Sequence, residues 1–445
     1  MEIYTIGGYS EVGKNMTVVK TGEDAFIFDC GLYMPAVVEL QGEEKKDLSE
    51  KKMRSKGAIP NDVLLDKLGI RNQVRAILPT HAHLDHIGAI PFLAHRYNAP
   101  VISSPFTISV LKKILDDDKK SINNKIISAD LNSTQMIKVK NRSYRVEFIN
   151  MTHSTPHDTM IALHTPEGIV LYGNDFKLDN TPVIGSPPNY KALQRISKQG
   201  VKVMISDSLY INSPGKTPSE KVARSMVEEV LLTVRNEKAA VFVTTFSSHI
   251  ARLKSIVEFG KKLNREIIFV GRSLNRYVAA ANESKLVPFK KDIRLTTYKR
   301  QVASMLKKVH SNRERYLVVC TGHQGEPGSV LERLSRKKLS FDFKKGDNLV
   351  FSSKTIPDPT NILNKEAMDK RLLKSGVRIF DNVHVSGHGS KEDIRDLIEI
   401  VNPENIIPSH APTERVRPMI ELSREEGYSK NQVHLMSDGQ KLVLK

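Results

Sequence analysis

Four side chains that can bind a metal ion lie within six consecutive residues, His81-Ala82-His83-Leu84-Asp85-His86. They follow the apolar run VRAILPT, which predicts a strand ending in a turn where neighbouring side chains converge without helical spacing. Imidazole nitrogens suit Zn²⁺, and a carboxylate in the same cluster allows a second metal ion close by. A single histidine at a strand end is usually structural, but this clustering predicts a metal site.

The same order, an apolar strand followed by His or Asp, recurs three times further along the chain. RVEFINMT precedes His153, GIVLYGN precedes Asp175, and ENIIPS precedes His410. Each of these positions is weak evidence by itself. Together with the first cluster they supply seven potential ligands, enough for two metal ions with positions left for water and substrate.

Short apolar strands alternate with helical stretches over most of the chain, which predicts an α/β protein. In the central part, AAVFVTTFSS, EIIFVGRS and RYLVVCTGHQG are apolar runs that end in small or polar residues, with helical periodicity between them. This pattern predicts a small parallel sheet with ligands at the C-terminal ends of its strands. The charged stretch of residues 43–60 is predicted to be a surface loop.

Positive charge is concentrated in the same central segment. The 445 residues contain 68 Lys and Arg against 50 Asp and Glu, a formal net charge of +18. Residues 209–354 contain 29 Lys and Arg against 13 Asp and Glu, so this segment holds +16 of the total. A basic segment can be no more than a solubilising surface, but its concentration in one block favours contact with a nucleic-acid backbone.

Composition argues against several other classes of protein. A hydrophobic content of 39% and a charged content of 27% are typical of globular rather than disordered chains. No apolar stretch approaches the roughly 20 residues of a membrane span, and the N-terminus lacks the layout of a signal peptide. Cys30 and Cys320 lie in apolar runs and indicate neither disulfides nor a cysteine zinc site. We therefore predict a cytoplasmic protein without membrane contact.

The run THAHLDHIG, followed in order by His153, Asp175 and His410, resembles the metal site of the metallo-β-lactamase fold. The resemblance implies an αββα sandwich that binds two divalent metal ions, most simply Zn²⁺, with Mn²⁺ as the alternative. One metal would be bound by His81, His83 and His153, and the other by Asp85, His86 and His410. Asp175 would bridge the two metals, and Asp29, at the end of the run FIFD, would orient the ligand turn from behind.

Further motifs resemble those of the β-CASP nucleases, a branch of this fold that acts on nucleic acids. ISDSLY contains Asp207, VHVSGHGS contains His384 and His388, and PSHAP contains His410. That family inserts a basic α/β domain into the metallo-β-lactamase domain, which would explain why the ligands flank the basic segment. We predict a metallo-β-lactamase domain of residues 1–206 and 355–445 and an inserted β-CASP domain of residues 207–354.

Within this family the chain is most similar to RNase J. The stretch TGHQGEP resembles the G-x-Q-G-E-P stretch of that group, and VHVSGHGS resembles its H-x-S-G-H segment. His323 stands where serine is commoner, and Ala411-Pro412 follows His410 where Gly-Glu is usual. Because the chain ends without the extra C-terminal domain of many bacterial members, it resembles the short archaeal form.

The resemblance implies that loops of the inserted domain hold substrate phosphates, including a 5′-monophosphate. Small residues with free backbone N–H groups can form anion-binding nests, and an arginine side chain can add two charge-assisted hydrogen bonds to a phosphate. Any one of these loops could instead be an ordinary turn. The candidates are Ser247, Ser248, His249, Arg272, Gly322, His323, Gln324, Gly325, His384, Ser386 and His388.

These observations together predict a two-metal ribonuclease acting on single-stranded RNA. The catalytic residues would be Asp85, Asp175, Asp207 and His388. His388 would protonate the leaving 3′-oxygen and Asp207 would hold or share that proton, unless Asp207 is a structural partner of a metal-bound histidine. A 5′-phosphate pocket beside the metals would give a 5′-to-3′ exonuclease that prefers 5′-monophosphate ends and releases nucleoside 5′-monophosphates.

Other functions remain open at this stage. A β-CASP endoribonuclease of the cleavage-factor kind would have the same metals without a terminal phosphate anchor. A small-molecule metallo-hydrolase would leave the basic insertion unexplained, and a catalytically silent RNA-binding subunit is disfavoured by the complete ligand set. The resemblance also suggests a homodimer.

Overall fold

The computed structural model describes residues 1–43, 49–140, 142–356 and 358–445. Within these ranges the chain forms three β-sheets flanked by α-helices, which confirms the predicted α/β class. The helices are α1 (Met34–Glu43), α2 (Glu50–Ser55), α3 (Val63–Lys67), α4 (Leu84–Ile87), α5 (Ile90–Leu93), α6 (Pro105–Asp117), α7 (Tyr190–Gln199), α8 (Glu220–Thr233), α9 (Ile250–Lys262), α10 (Arg272–Glu283), α11 (Lys299–Ser311), α12 (Val330–Ser335), α13 (Pro359–Lys374), α14 (Lys391–Val401), α15 (Thr413–Val416) and α16 (Met419–Glu425).

The first sheet has seven strands in the order β19-β1-β2-β3-β4-β5-β6. Its strands are β1 (Glu2–Gly7), β2 (Met16–Thr21), β3 (Asp24–Phe28), β4 (Val74–Leu78), β5 (Val101–Ser103), β6 (Ile126–Ser128) and β19 (Lys441–Val443). Pairing is antiparallel from β19 to β3 and parallel from β3 to β6. The C-terminal ends of β3 and β4 therefore meet at one edge of this sheet.

The second sheet has six strands in the order β18-β11-β10-β9-β8-β7. Its strands are β7 (Ser133–Val139), β8 (Arg142–Asn150), β9 (Thr159–Thr165), β10 (Gly168–Gly173), β11 (Val201–Asp207) and β18 (Ile406–Ser409). Strands β7 to β10 form an antiparallel meander, whereas β10, β11 and β18 are parallel. The ends of β10, β11 and β18 thus lie side by side.

The first and second sheets pack face to face to form the centre of the sandwich. Phe26 and Phe28 contribute to the core between the sheets, whereas Ala25 and Ile27 face the helices on the outer side, the period-two alternation of a strand. Helices α1 to α6 cover the outer face of the first sheet, and α7, α14 and α16 cover that of the second. The four layers form the αββα sandwich that the sequence resemblance implied.

The third sheet belongs to the basic insertion and is parallel throughout. Its strands, in the order β14-β13-β15-β12-β16-β17, are β12 (Val241–Thr244), β13 (Glu266–Val270), β14 (Ile293–Thr296), β15 (Tyr316–Cys320), β16 (Asn348–Phe351) and β17 (Arg378–Phe380). Helices α8 to α10 pack on one face and α11 to α13 on the other. The face with α8 to α10 shares its apolar core with the outer face of the first sheet, so the two domains are packed together.

The third sheet continues past residue 354, where the charge pattern placed the end of the insertion. Strand β17 pairs with β16, and α13 between them contributes Met368 and Leu372 to the core of the inserted domain. We therefore propose that the inserted domain ends near residue 380. Charge marks the composition of a surface rather than the path of the chain, so it does not locate this boundary.

The stretch of residues 43–60, predicted to be a loop, contains helix α2. Ser49 caps this helix by accepting a hydrogen bond from the backbone N–H of Lys52, and Met53 is its buried anchor. Residues 44–48 of the predicted loop lie outside the described residues. None of the helices in the described ranges has the length and hydropathy needed to cross a membrane.

Candidate metal centre

The seven predicted metal ligands meet at one end of the sandwich, where several strands terminate. The motif of residues 81–86 follows β4, His153 follows β8, Asp175 follows β10 and His410 follows β18. The structure arranges the ligands in two groups, each with its ligand atoms within 4.8 Å of one another. The first group is His81, His83, His153 and Asp175, and the second is Asp85, His86, Asp175 and His410.

Asp175 lies between the two groups and belongs to both. Its Oδ2 is 3.5 Å from Nε2 of His81 and 3.7 Å from Nε2 of His153, both in the first group. The same oxygen is 3.2 Å from Nε2 of His86, and Oδ1 is 3.5 Å from Nδ1 of His410, both in the second group. Asp175 is therefore the residue that could contribute to both metal positions.

The chemistry of these side chains fits a pair of divalent cations. Asp175 Oδ1 is buried and has no hydrogen-bond partner among the described residues. Burial and repulsion from neighbouring histidines hold the pKa of His81 and His153 well below the usual range, so their rings are neutral and offer lone pairs. The buried carboxylate of Asp175 and the neutral rings of His81 and His153 together form a donor set that suits a divalent cation.

Groups behind the ligands fix the orientation of the rings. His86 donates from Nδ1 to Asp29 Oδ2 over 2.7 Å, and Asp29 Oδ1 also accepts from the backbone N–H of Thr80 at 2.8 Å. His153 donates from Nδ1 to the carbonyl oxygen of Gly387 over 2.7 Å. Each histidine thereby keeps its Nε2 lone pair for the metal side. The role of Asp29 in orienting the ligand turn stays a prediction, which its hydrogen bond with His86 supports.

Three residues of the centre adopt left-handed backbone conformations. The φ angles are 57° at Asp29, 56° at Asp175 and 65° at His410, each one or two residues after the end of a strand. For non-glycine residues this conformation costs on the order of 1 kcal/mol or more and persists only where the surroundings enforce it. The backbone N–H of His410, for example, donates to the Gly8 carbonyl at 2.7 Å. The sharp turns bring the three side chains into one place.

His388 and Asp207 form a hydrogen-bonded pair beside the ligands. Nδ1 of His388 donates to Asp207 Oδ2 over 2.8 Å, and the His388 ring stacks 5.4 Å from the ring of His410. Burial opposes a charge on His388, but the carboxylates of Asp207 and Asp175 outweigh it and raise the pKa of His388 to about 9. These two carboxylates therefore favour the protonated form of His388 at the edge of the centre.

Two loops of the predicted phosphate-binding set border the metal centre directly. Ser248 Oγ, just before α9, lies 3.0 Å from Nε2 of His83. The neighbouring Ser247 donates to Ser273 Oγ at 3.0 Å. In the second loop, Ser386 Oγ accepts from the backbone N–H of His388 at 3.0 Å. The basic insertion therefore contributes side chains to the rim of the site.

Other predicted phosphate-binding residues have partners inside the protein. His249 caps α9 and its Nε2 lies 3.3 Å from the Glu220 carboxylate. Nδ1 of His384 lies 3.4 Å from Arg252, and burial together with the arginine charge lowers the pKa of His384 to about 2. Arg272 is exposed at the first residue of α10. The two histidines thus belong to a buried ionic network next to the site.

The loop of residues 322–325 packs closely against its neighbours. Gly322 has φ 106° and Gly325 has φ 71°, and a Cβ at Gly325 would lie 2.4 Å from the Asn364 carbonyl oxygen, so only glycine fits there. Gln324 Oε1 accepts from the backbone N–H of Ile356 at 2.8 Å. His323 packs on Phe246 with ring centroids 4.1 Å apart, and its buried Nε2 has no hydrogen-bond partner in the described part of the chain.

Arg252, a residue not predicted from the sequence, is fully buried beneath the site. Its guanidinium donates to both carboxylate oxygens of Glu220, at 2.6 and 2.8 Å, and to the Ser352 carbonyl at 2.9 Å. It therefore links α8, α9 and β16 to the loop that carries His384. One signal was available: Arg252 shares a helical stripe with the apolar Ile256 and Phe259, spaced at i, i+4 and i+7.

Two further supports of the ligand turn were also missed. Tyr277, on α10 of the insertion, donates to the carbonyl oxygen of Ala82 at 3.1 Å. Asn15 donates to the Asp85 carbonyl at 3.1 Å and accepts from His410 Nδ1 at 3.1 Å. Each contact joins residues far apart in the chain, so no local sequence pattern could reveal it.

Comparison with known proteins places these features in one family. The model for the metallo-beta-lactamase superfamily matches residues 9–202, that for the ribonuclease J beta-CASP domain matches residues 238–369, and that for the Zn-dependent metallo-hydrolase RNA specificity domain matches residues 377–436. A solved structure of a protein of unknown function from Enterococcus faecalis aligns with a TM-score of 0.65 over 100% of this chain and 99% of that chain. Its sequence identity is 14%, so it shows the shared fold alone.

Two archaeal relatives align over nearly the whole chain. Ribonuclease J of Methanocaldococcus jannaschii is 42% identical over 443 residues, which cover 99% of this chain and 98% of that protein. Ribonuclease J of Pyrococcus abyssi is 40% identical over 431 residues, which cover 96% of this chain and 93% of that protein. The chain therefore belongs to the ribonuclease J family, in which a metallo-β-lactamase domain carries an inserted β-CASP domain.

Proposed function

We propose that this protein is a metal-dependent ribonuclease that degrades single-stranded RNA from the 5′ end and prefers a 5′-monophosphate. The observation that carries the proposal is the 3.0 Å contact between Ser248 Oγ of the basic insertion and Nε2 of His83. Through this contact, the domain that holds most of the positive charge forms one rim of the candidate two-metal centre. The archaeal relatives named ribonuclease J support RNA as the substrate class.

Bound metal ions would activate a water molecule and neutralise the charge that develops on the phosphoryl group. Asp175 and Asp85 are the carboxylates that would hold them, and the histidine-rich donor set suits Zn²⁺, with Mn²⁺ as the alternative. His388 carries a proton beside the centre and would give it to the leaving 3′-oxygen. Asp207 keeps that proton on His388 through the 2.8 Å hydrogen bond.

Preference for a 5′-monophosphate rests on the loops that face the centre. Helix α9 begins two residues after Ser248, so its first backbone N–H groups and its dipole favour an anion near that side chain. Ser247, Ser386 and the loop of residues 322–325 would complete the phosphate contacts, and the larger, more highly charged 5′-triphosphate would fit such a pocket less well. The homodimer suggested by the resemblance stays a prediction for light scattering to test.

The test is a digestion of RNA labelled at its 3′ end and carrying a 5′-hydroxyl, 5′-monophosphate or 5′-triphosphate, with and without a chelator. We expect stepwise shortening from the 5′ end, fastest with the monophosphate and abolished by the chelator. Internal fragments that do not depend on the 5′ group would indicate the endoribonuclease alternative instead. The control protein Asp175→Asn should lose bound metal and cleavage together, and a metal-loaded wild type that leaves every RNA intact would contradict both forms of the proposal.

A further inference from the structure

A basic cavity on the inserted domain lies outside the site described above. None of its lining residues was assigned to the metal centre or to the phosphate loops. Its volume is about 470 Å³, within the range of ligand-binding pockets. Four cationic side chains and one carboxylate line it, Lys299, Arg333, Arg336, Lys338 and Glu332. A cavity of this size and charge has room for a nucleotide unit rather than for a small ion alone.

The positive charge of this basic cavity is largely unneutralised. Glu332 pairs with Arg336 and also accepts from the backbone N–H of Gly328 at 3.2 Å. The side chains of Lys299, Arg333 and Lys338 make no ion pair or hydrogen bond with any residue that the structure describes. Three cations without a protein counter-charge, converging on one cavity, favour an anionic partner.

The basic cavity lies along the same sheet edge as the rim of the metal centre. Lys299 lies at the start of α11, in the segment that follows the loop after β14. The other lining residues follow β15: Pro327 and Gly328 lie in its loop, Glu332 and Arg333 in α12, and Arg336 and Lys338 just after that helix. Because the third sheet is parallel, these loops and the Ser248 loop after β12 share the C-terminal edge. Strands β12 and β14 are three positions apart, which is roughly 15 Å at about 4.8 Å per strand. One extended strand of RNA can therefore contact both places.

An exposed aromatic residue, Tyr298, is the chain neighbour of the lining residue Lys299. Tyr298 directly precedes Lys299 and is 73% exposed, the most exposed of the large apolar side chains in the described residues. An aromatic ring next to unpaired cations is the combination by which proteins hold single-stranded nucleic acid, with bases stacked on the ring and phosphates near the charges. Free inorganic phosphate would make no use of the ring.

We propose that the basic cavity is a second RNA-binding site, which holds the phosphodiester backbone of the strand downstream of the reacting 5′ end while Tyr298 stacks on a base. The inference rests on the proposed function, because it gives a second contact to the same substrate. It makes affinity depend on RNA length. A strand that reaches from the metal centre to the basic cavity gains contacts that a short one lacks.

The test compares the Lys299→Gln/Arg333→Gln/Lys338→Gln variant with a matched control, Arg294→Gln/Lys307→Gln/Lys345→Gln. The control removes the same charge from three exposed positions of the same domain outside the cavity. Dissociation constants are measured for metal-loaded protein and hydrolysis-resistant phosphorothioate RNA, as a tetranucleotide and as a strand of roughly 20 nucleotides. Each measurement is repeated at several salt concentrations.

We expect the cavity variant to bind the long RNA about tenfold more weakly and the tetranucleotide within about twofold of wild type. Loss of three phosphate contacts should also make the slope of log K against log salt shallower by about 2, since each single-strand contact contributes about 0.7. Tyr298→Ala should weaken binding of the long RNA about fivefold, while Tyr298→Phe should bind it about as tightly as wild type does. The control variant should bind both RNAs only slightly more weakly than wild type does.

Any of three results would overturn the inference. The cavity variant could lose affinity equally for both RNA lengths, the control variant could lose as much affinity as the cavity variant, or the cavity variant could keep the affinity of wild type. Cleavage of unmodified RNA by wild type, measured in parallel, separates the two proposals. If wild type cleaves RNA and the cavity variant binds both lengths as wild type does, only the second site is wrong. If wild type neither cleaves nor binds RNA, the proposed function fails and the second site fails with it.

Discussion

At the scale of single residues, the hydrogen-bonded pair of His388 and Asp207 lies next to the predicted metal ligands. The 2.8 Å hydrogen bond and the negative charge of Asp207 both stabilise the imidazolium form, in a place where burial would otherwise remove the proton. The imidazolium is 5.0 Å from the ring of His153 and 5.4 Å from that of His410. A leaving oxygen at the centre would therefore find an acid within reach.

Asp207→Asn should lower kcat and move the alkaline limb of its pH profile to lower pH. The carboxylate raises the pKa of His388, so the protonated acid persists to higher pH in wild type than in the variant. Asparagine removes the negative charge, and His388 then loses its proton earlier as the pH rises. Loss of general-acid catalysis is worth about 10² to 10⁴ in rate. The measurement is kcat against pH, with metal content determined on the same samples.

Retention of metal with a shifted alkaline limb would support the acid role of His388. If Asp207 were only a structural partner, the variant would lose metal or stability while the alkaline limb kept its position. His388→Gln provides the matched comparison, because it removes the acid itself and should abolish the alkaline limb that depends on it.

The candidate metal ligands could be predicted from the sequence, whereas the residues that hold them in place could not. Four ligands lie in one short motif, and the others each follow an apolar strand, so local pattern was enough to locate them. The contacts of Arg252 with Glu220 and of Asn15 with His410 join distant parts of the chain. The same limit explains why His249 and His384 were predicted to bind phosphate, although the structure gives them protein partners.

At the scale of elements, the loop of residues 383–390 contacts the predicted metal ligand His153 through its backbone. The Gly387 carbonyl accepts from His153, and a Cβ at Gly387 would lie 2.8 Å from Ser154 Cβ and 2.9 Å from His153 Cε1. Distances of that kind are too short for real side chains. A glycine is therefore required for the loop to approach His153 and for its carbonyl to orient the ring.

Gly387→Ala should weaken metal binding by about 10- to 100-fold, the cost of losing an outer partner of a metal-bound histidine. The added methyl group must displace either the loop or His153, and both movements break the 2.7 Å hydrogen bond. Metal content and competition with a chelating dye measure the loss. Gly260→Ala is the control: its Cβ would lie 3.1 Å from Ile267 Cδ1, the flexible end of a side chain away from the site. Equal metal binding in the two variants would contradict the argument.

Elements with strong apolar runs were predictable, and weakly marked ones were not. AAVFVTTFSS, EIIFVGRS and RYLVVCTGHQG correspond to β12, β13 and β15, each a buried parallel strand. Strand β17 has three residues that are at most half-buried, so its pairing with β16 rather than its own sequence makes it a strand. Helix α2 buries only Met53 and therefore lacks the apolar periodicity that marks a helix.

At the scale of the whole molecule, the inserted domain is part of the metal centre. Ser248 and Tyr277 both come from the insertion, and they contact His83 and the carbonyl oxygen of Ala82 in the ligand turn. The apolar core on the outer face of the first sheet runs without interruption into the face of the third sheet that carries α8 to α10. Movement of the insertion would therefore disturb the predicted ligands as well as the proposed RNA-binding surface.

Tyr277→Phe should accelerate metal loss about fivefold, because it removes the hydrogen bond that holds the ligand turn from the side of the insertion. A buried hydrogen bond contributes about 1 kcal/mol, which corresponds to about that factor. Phenylalanine keeps the ring and its packing, so the fold should be retained. The rate of metal release to excess chelator is the measurement. Tyr428→Phe is the control, since the Tyr428 hydroxyl is buried without a hydrogen-bond partner in the described residues and its removal should leave the rate unchanged. Equal rates for Tyr277→Phe and wild type would mean that the ligand turn is held by the metallo-β-lactamase domain alone.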